Sequence, residues 1–308
     1  MTRSILAMAD LATPMAIRVA ATLGLLERAD IVADEVSPAV RRLLEHLVAV
    51  GVFDLEAGRY RPTDLGAQAA ECNWLLDINC AGGRAELAFV ELLGTITTGT
   101  PAYPQRYGRD FWADIDAEPQ LRKSFDAQMN WRFQAQAPQI AERFDWRRFP
   151  EILDVGGGDG MVLAAILHAN PDVRGRVLDL PPSAAAAAER FAAERLSDRA
   201  TVVAGSFFDP LPRADACLLS DVLHDWDDDH ARMILARCRS AANAVVVIEP
   251  VRGRGVDTAM DLFMLMCFGG RERTVDELTA LAADCGLRLH ESVSVADGRT
   301  ALEFGRST

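Results

Sequence analysis

The stretch Ile152-Leu-Asp-Val-Gly-Gly-Gly-Asp-Gly160 decides the fold, because it joins an apolar strand to the helical segment 161–170 through a glycine-rich turn. Further apolar strands follow it and alternate with helical segments; they read GRVLDL, TVVAG, ACLLSDVL and AVVVIEP. This alternation predicts a parallel sheet with helices on both faces. The last strings, LRLHESVSV and ALEFGRS around the turn ADGRT, predict a hairpin that closes one edge of that sheet.

The residues before this sheet predict a smaller, mainly helical region. Residues 4–29 and 38–50 carry apolar side chains at helical spacing, and Pro38 after Ser37 suits the start of a helix. Residues 51–63 then predict two short strands around a turn. Helices followed by a small hairpin are typical of a winged helix.

Two further segments connect this region to the sheet. Residues 99–111 are rich in Gly, Pro and Tyr and predict a loop, and residues 118–144 predict one long linking helix. The chain is therefore expected to divide near residue 105.

Composition limits the classes of partner. The 308 residues carry a net charge of −13, and a polyanion such as a nucleic acid is therefore not an expected partner. A DNA-reading wing would need a basic face, so we expect the helical region to serve dimerisation. No apolar run reaches the roughly 18 residues that span a bilayer, and no membrane association is expected. Six scattered cysteines without a C-x-x-C pair predict reduced thiols and a cytoplasmic protein.

The glycine-rich turn predicts a ligand site at the carboxyl edge of the sheet. Gly156, Gly158 and Gly160 let the backbone approach a ligand closely, but the third glycine of the dinucleotide fingerprint would fall on Met161. Asp179 follows Gly156 by 23 residues and could accept both hydroxyls of a ribose, or cap the next helix. A ribose-bearing cofactor without a pyrophosphate fits best, and S-adenosylmethionine is such a cofactor.

At this point the chain resembles the S-adenosylmethionine-dependent O-methyltransferases of plant-phenolic and bacterial natural-product type (the acetylserotonin O-methyltransferase-like family). The matching strings in the second half are LDVGGGDG, LDLP, GSFFDPLP, LLSDVLHDWDDDH, VVVIEP and GGRERTVDEL. The first half matches through LGLLERAD, LLEHLVAVGVF, YRPTDLG and YGRDFWADIDAEPQLRKSFDAQM. The resemblance implies an α/β fold: a winged-helix-like dimerisation domain over 1–105, linking helices that line an acceptor pocket over 106–145, and a Rossmann-like catalytic domain over 146–308.

Most of the expected cofactor contacts are carried over from this resemblance. They are Arg122, Asp154, Gly156, Gly158, Asp179, Leu180, Gly205, Ser206, Phe207, Ser220 and Trp226. The resemblance implies that Arg122 holds the methionine carboxylate and that Phe207 flanks the adenine, with Trp226 near it. Ser206 and Ser220 depart from the plant members, which usually carry Asp and Lys there.

His224 is the candidate general base, because it ends a predicted strand beside the glycine-rich turn. A phenol has a pKa of about 10, and a histidine titrating near 6.5 can take its proton during methyl transfer. The resemblance places Glu249 and Glu272 near this histidine. Either carboxylate could accept a ring N–H and raise the pKa of His224 above 6.5. The alternatives are that His224 is a packing residue and that Glu272 pairs with a neighbouring arginine.

Apolar and aromatic side chains are expected to line the pocket for a flat acceptor. The candidates are Met129, Trp131, Phe133, Asp225, Met264 and Phe268, with core packing as the alternative for the methionines. Residues 227–230 read DDDH and could hold a metal, but they fit the start of a helix better, and we expect no metal.

The sequence therefore predicts a homodimeric, cytoplasmic S-adenosylmethionine-dependent O-methyltransferase. The expected acceptor is a hydroxylated aromatic or polyketide-like metabolite of bacterial natural-product biosynthesis. One alternative keeps the fold but uses it for decarboxylation, hydroxylation or a pericyclic step. A second alternative is a winged-helix regulator that senses a metabolite.

Overall fold

The computed structural model describes residues 4–253 and 258–306, which form two compact units. The first unit comprises the described part of Met1–Val90 together with Phe111–Gln128. The second comprises Glu91–Asp110 and the described part of Met129–Thr308. Among the described residues, no helix is both long enough and apolar enough to cross a membrane.

The first unit begins with helices around a small antiparallel sheet. Its elements up to residue 87 are α1 (Ile5–Met8), α2 (Ala12–Thr22), β1 (Ile31–Val32), α3 (Pro38–Ala49), β2 (Phe53–Glu56), β3 (Arg59–Pro62), α4 (Asp64–Glu71), α5 (Asn73–Leu76) and α6 (Ala81–Leu87). The described strands pair in the order β1-β3-β2. The predicted hairpin is confirmed, and Ala57 and Gly58 take positive φ values of 48° and 75° at its turn.

The N-termini of these helices follow the local sequence. The Ser37 hydroxyl accepts the N–H of Val40 at 3.3 Å, which confirms the predicted start of α3. The helical spacing predicted over residues 4–29 corresponds to two helices, α1 and α2. Asp10 accepts the N–H of Ala12 at 3.0 Å and starts a new helix there. Gly24, at φ +63°, lies beyond the C-terminus of α2.

The segment before the large sheet is more helical than predicted. It contains α7 (Leu92–Thr98), α8 (Ala102–Tyr107), α9 (Phe111–Ala117), α10 (Pro119–Gln134) and α11 (Gln136–Arg143). The loop predicted over 99–111 is wrong in part, because α8 lies inside it between the left-handed Gly99 and Gly108. The long linking helix is interrupted at Ala135, because Pro138 has no N–H to offer the carbonyl of Gln134.

The second unit is an α/β fold around a sheet that has seven strands in the described residues. Its elements after residue 150 are β4 (Glu151–Val155), α12 (Met161–Ala169), β5 (Arg174–Asp179), α13 (Pro181–Ala193), β6 (Ala200–Ala204), β7 (Ala216–Ser220), α14 (Asp228–Ala241), β8 (Ala244–Pro250), α15 (Thr258–Cys267), α16 (Val275–Asp284), β9 (Leu287–Ala296) and β10 (Arg299–Arg306). The order is β6-β5-β4-β7-β8-β10-β9, and β4 to β8 are parallel. The predicted Rossmann-like sheet and its terminal hairpin are confirmed.

The sheet is covered on both faces, as the strand pattern predicts. Val246 and Ile248 join one buried cluster with residues of α11 and α12, and Val245 and Val247 join the other with residues of α14 and α16. The strand order reverses between β4 and β7, and the chain departs in opposite directions at their carboxyl ends. Ligands of open α/β sheets bind in the crevice at this position.

Candidate active site

The glycine-rich loop after β4 is tightly packed on one side. Gly156 has φ +73°, and its N–H donates to the carbonyl of Leu178 at 2.8 Å. A Cβ placed on Gly156 would lie 3.0 Å from Val222 Cγ2 and 3.5 Å from the Phe207 ring, whereas one on Gly158 would meet nothing within 4 Å. The loop therefore leaves an open side only at Gly158, and any larger residue at Gly156 would be strained.

Asp179 and Asp154 support this loop in different ways. One Asp179 carboxylate oxygen accepts the N–H of Gly158 at 2.8 Å, and the other accepts the N–H of Leu180 at 2.7 Å. Asp154 is buried behind the loop, and a Cβ on Gly157 would lie 2.6 Å from its carboxyl group. Burial, with the charges of Asp179 and Asp159, raises the pKa of Asp154 to about 8. Asp154 is therefore mostly protonated at neutral pH.

An aromatic cluster lies next to the loop. The ring of Phe207 packs edge-on against Trp226 with centroids 5.8 Å apart, and Phe208 packs edge-on against Trp226 at 5.0 Å. The Ser206 hydroxyl accepts the N–H of Phe208 at 3.2 Å. The sequence analysis missed Phe208, although it is adjacent to Phe207 in the same motif.

These features fit an adenosyl group. Gly156 and Gly158 provide a backbone surface without side chains, Asp179 provides a carboxylate, and Phe207 provides an aromatic face. The Ser220 hydroxyl is buried and has no hydrogen-bond partner in the described part of the chain, so it is available to a ligand. Another predicted contact, Arg122, lies in the first unit, where its guanidinium pairs with Asp116.

The backbone around His224 is held from two sides. One Glu249 carboxylate oxygen accepts the N–H of Leu223 at 2.6 Å and that of His224 at 3.1 Å. The fully buried Arg273 donates to the carbonyls of Leu223 and Trp226, each at 2.8 Å. Glu249 thus binds the backbone rather than the imidazole, so the expectation that it accepts a ring N–H is wrong. Glu249 lies in β8, and this position brings its carboxylate to the backbone of Leu223 and His224.

His224 itself is buried and neutral. Its side chain is 3% exposed, and Nε2 lies 3.5 Å from a carboxyl oxygen of Asp225. In the described residues Nδ1 has no hydrogen-bond partner. Burial lowers the pKa of His224 to about 4; the charge of Asp221 opposes this shift, and the charges of Arg132 and Arg299 add to it. A pKa above 6.5 was expected only if Glu249 or Glu272 paired with the ring; neither does, and desolvation penalises the imidazolium.

Glu272 is enclosed and does not form the ion pair with a neighbouring arginine that was the alternative to a role beside His224. Neither of its carboxyl oxygens has a hydrogen-bond partner within the described segments, while its N–H donates to Asp261 at 2.8 Å. Arg271 and Arg273 pair with Asp228 instead. Burial, followed by the charge of Asp261, raises the pKa of Glu272 to about 7. Glu272 is thus an unpaired acid whose protonation changes near neutral pH.

A cluster of buried charged residues, which the sequence analysis did not identify, lies directly after β7. Asp221 has φ +53°, which is rare for a residue other than glycine. Its carboxylate pairs with Arg299 and lies 3.6 Å from Arg132. Burial alone would raise the pKa of Asp221, but Arg299 and Arg132 outweigh it and hold that pKa below its usual value. Each residue comes from a different part of the chain, so no local pattern could reveal the cluster.

The residues predicted to line the acceptor pocket differ in their exposure to solvent. Met264 is buried, and Trp131 is 58% exposed. Phe133 belongs to the buried cluster on one face of the sheet, with Met129 packed against it and the Arg299 guanidinium 5.3 Å from its ring. Packing in this core accounts for Phe133 and Met129 without a ligand.

The acidic run after Trp226 starts a helix. Asp227 accepts the N–H of His230 at 2.9 Å and caps α14, as its position in the sequence predicts. Across residues 4–253 and 258–306, no group of three His, Cys, Asp or Glu side chains could hold a metal ion.

The fold and the site together define an α/β methyltransferase. Residues 89–288 match the O-methyltransferase domain family, so the chain belongs to this family. Its cofactor is S-adenosylmethionine, and it is an O-methyltransferase.

Several relatives are similar along nearly the whole chain. The 2,7-dihydroxy-5-methyl-1-naphthoate 7-O-methyltransferase of Streptomyces carzinostaticus is 48% identical and covers 91% of each chain. The aclacinomycin 10-hydroxylase of Streptomyces purpurascens is 42% identical over 96% of this chain and 86% of its own. A crystal structure of an O-methyltransferase from neocarzinostatin biosynthesis, in complex with S-adenosyl-L-homocysteine and 1,4-dihydroxy-2-naphthoic acid, has a TM-score of 0.94 at 43% identity over 99% of each chain.

Proposed function

We propose that this enzyme methylates a phenolic hydroxyl of a fused aromatic acceptor, such as a hydroxylated naphthalene, in bacterial natural-product biosynthesis. The acceptor class is supported by the naphthoate methyltransferase of Streptomyces carzinostaticus and by the dihydroxynaphthoic acid in the similar crystal structure. The observation that carries the proposal is the position of His224, whose loop follows the strand next to the glycine-rich loop. A base and a cofactor cradle at one sheet edge suit transfer to a hydroxyl.

In this proposal His224 is the general base. Its pKa of about 4 keeps the imidazole neutral at physiological pH, so it is ready to accept a proton. We assign Nε2, the nitrogen next to Asp225, as the atom that accepts the proton of the acceptor, because Nδ1 is enclosed. Bound S-adenosylmethionine supplies a methyl group on a cationic sulfur. Glu249 and Arg273 are positioning residues in this scheme, since they fix the backbone that carries the imidazole.

The cofactor would be held by the residues around the glycine-rich loop. Asp179 would accept the ribose hydroxyls, and Phe207 and Trp226 would enclose the adenine. The remaining proposed contacts are Asp154, Gly156, Gly158, Leu180, Gly205, Ser206 and Ser220. Asp154 would act through the loop backbone, because its carboxyl group is buried behind Gly157.

The substitution His224→Ala tests the base. Turnover of a phenol with a pKa near 10 should fall by about 10²–10⁴-fold, with unchanged affinity for S-adenosylhomocysteine by calorimetry. The loss should shrink for more acidic phenols, because an ionised acceptor needs no base. His168→Ala is the control, since His168 pairs with Glu194 at the surface. A variant within about threefold of the wild type on a high-pKa phenol would exclude the base role.

Hydroxylation is the second candidate, because the aclacinomycin 10-hydroxylase is 42% identical over 96% of this chain. Incubation with methyl-labelled S-adenosylmethionine and a panel of naphthols separates the two activities. Methyl transfer gives labelled product and S-adenosylhomocysteine without dioxygen. A product that gains oxygen, with the cofactor recovered intact, would identify a hydroxylase instead.

For the first unit we propose a winged-helix-like dimerisation role. The helix α3, the β2–β3 hairpin and the helix α4 follow in the order typical of such a domain, and the acidic charge of the region opposes DNA binding. Four large apolar side chains near its N-terminus are exposed and available to a second copy: Ile5, Leu6, Met8 and Leu11. A cytoplasmic location is supported by six cysteines that are all free thiols.

A further inference from the structure

The ion cluster after β7 contains two guanidinium groups and one carboxylate. Asp221 is buried, and its backbone N–H donates to the carbonyl of Ile248 at 3.0 Å, which fixes it at the end of the strand. Arg299 and Arg132 approach its two carboxylate oxygens from the terminal hairpin and from α10. The cluster therefore carries one positive charge more than Asp221 can offset.

The two arginines differ in how many of their guanidinium N–H groups are already bound within the protein. Arg299 is 3% exposed, pairs with Asp221, donates Nε to Gln136 at 2.9 Å and lies over the ring of Phe133. Arg132 is 24% exposed, and its closest approach to Asp221 is 3.6 Å, which is longer than a hydrogen bond. Along the described chain the guanidinium of Arg132 has no hydrogen-bond partner, so its planar set of N–H donors is available to a ligand.

The neighbouring acids neutralise this cation only in part. Burial raises the pKa of Glu249 and of Glu272 to about 7 and that of Asp225 well above its usual value. Near neutral pH Glu249 and Glu272 are therefore only partly ionised. Arg132 is also close enough to His224 for its charge to lower the pKa of the imidazole. An accessible and incompletely paired cation thus lies beside the proposed base.

We propose that Arg132 binds a carboxylate of the acceptor, so that the enzyme selects aromatic hydroxy acids over uncharged phenols. The proposal rests on the proposed function, since it requires an aromatic acceptor at His224. A guanidinium matches a carboxylate through two parallel hydrogen bonds, which fix the orientation of the ring as well as its affinity. Arg132 would then determine which hydroxyl of the acceptor reaches His224.

Two acceptors with the same hydroxyl pattern test this role, a dihydroxynaphthoate and the corresponding dihydroxynaphthalene. Arg132→Met should raise the KM for the naphthoate by about 10- to 100-fold, the range of hydrogen bonds to a charged group. The KM for the uncharged naphthalene should stay within about threefold. Arg132→Lys should give an intermediate loss, because it keeps the charge but loses the planar fork. Arg147→Met is the matched control, since Arg147 is 78% exposed and pairs only with Asp145 among the described residues.

Equal losses on both acceptors, or no loss on either, would overturn the proposal. Thermal melts of each variant detect a general loss of folding, and Arg132→Lys keeps the test valid if Arg132→Met does not fold. A wild-type enzyme that methylates the naphthalene as well as the naphthoate would overturn this inference and leave the proposed function intact. A wild-type enzyme that methylates neither would overturn both.

Discussion

At the residue scale, His224 shows how burial changes the chemistry of a recognisable side chain. Its pKa of about 4 lies well below the ordinary 6.5, and each pKa unit corresponds to about 1.4 kcal/mol. The imidazolium is therefore disfavoured by roughly 3 kcal/mol in the unliganded protein.

The titration of His224 can be measured directly. Burial disfavours the charged ring, so protonation requires a more acidic solution, and we expect an NMR midpoint near pH 4 in the cofactor-free protein. The His224→Gln variant assigns the resonance. Because the unfolded chain would bind this proton near pH 6.5, the contribution to folding stability should be complete above pH 6.5 and be lost progressively toward pH 4. A midpoint at or above 6.5 would contradict the described environment.

Local motifs predict individual residues only where the chemistry is local in sequence. Gly156, Asp179 and His224 follow the ends of predicted strands, so their meeting at one sheet edge could be inferred. Asp221 and its two arginines come from β7, α10 and β10 and leave no such pattern. The pKa of His224 was also beyond sequence analysis, because it depends on burial and on those distant charges.

At the element scale, the turn that carries His224 depends on Glu249. Its oxygen accepts two buried N–H groups, from Leu223 and His224, and an amide oxygen can do the same. Glu249→Gln should therefore keep activity within about fivefold, whereas Glu249→Leu leaves two donors unsatisfied at a cost of about 1–3 kcal/mol each. Turnover and denaturant unfolding of both variants check this. A Gln variant as impaired as the Leu variant would show that ionisation of Glu249 is essential.

The glycine-rich loop permits a similar matched comparison. Alanine at Gly156 combines an unfavourable φ of +73° with a Cβ 3.0 Å from Val222, whereas alanine at Gly51 has φ +79° and open surroundings. Both variants should lose about 1–2 kcal/mol of stability from the backbone. Only Gly156→Ala should weaken S-adenosylhomocysteine binding, by tenfold or more in calorimetry. Equal affinities in the two variants would remove Gly156 from the cofactor site.

Some helices and strands could be predicted from the sequence, and others could not. The strands β4 to β8 were predictable because apolar runs in a parallel sheet are short and bounded by turns. The helix α8 was not, because the Gly and Pro residues around it also suit a loop. The interruption at Ala135 could have been found, since Pro138 lies three residues further along an otherwise helical pattern.

At the scale of the whole molecule, the net charge and the exposed apolar side chains both favour a second copy of the chain over a nucleic acid as partner. The net charge of −13 makes a nucleic acid an unfavourable partner for the chain. The first unit nevertheless exposes several large apolar side chains, which a monomer of this size would be expected to bury. A second copy of the chain can cover them without requiring a basic surface.

The proposed homodimer can be tested through α1 and the residue just before α2. Ile5, Leu6, Met8 and Leu11 are 74%, 80%, 63% and 67% exposed. Light scattering at micromolar concentration should give twice the chain mass of 33.5 kDa. The double variant Leu6→Asp/Leu11→Asp should weaken association by about 100-fold or more, because burying each leucine is worth about 1.5–3 kcal/mol and a buried unpaired carboxylate is unfavourable. Leu65→Asp, at a residue 52% exposed in α4, should leave the dimer intact. A wild-type protein that scatters as a monomer would remove the dimer, and the exposed apolar side chains would then need another partner.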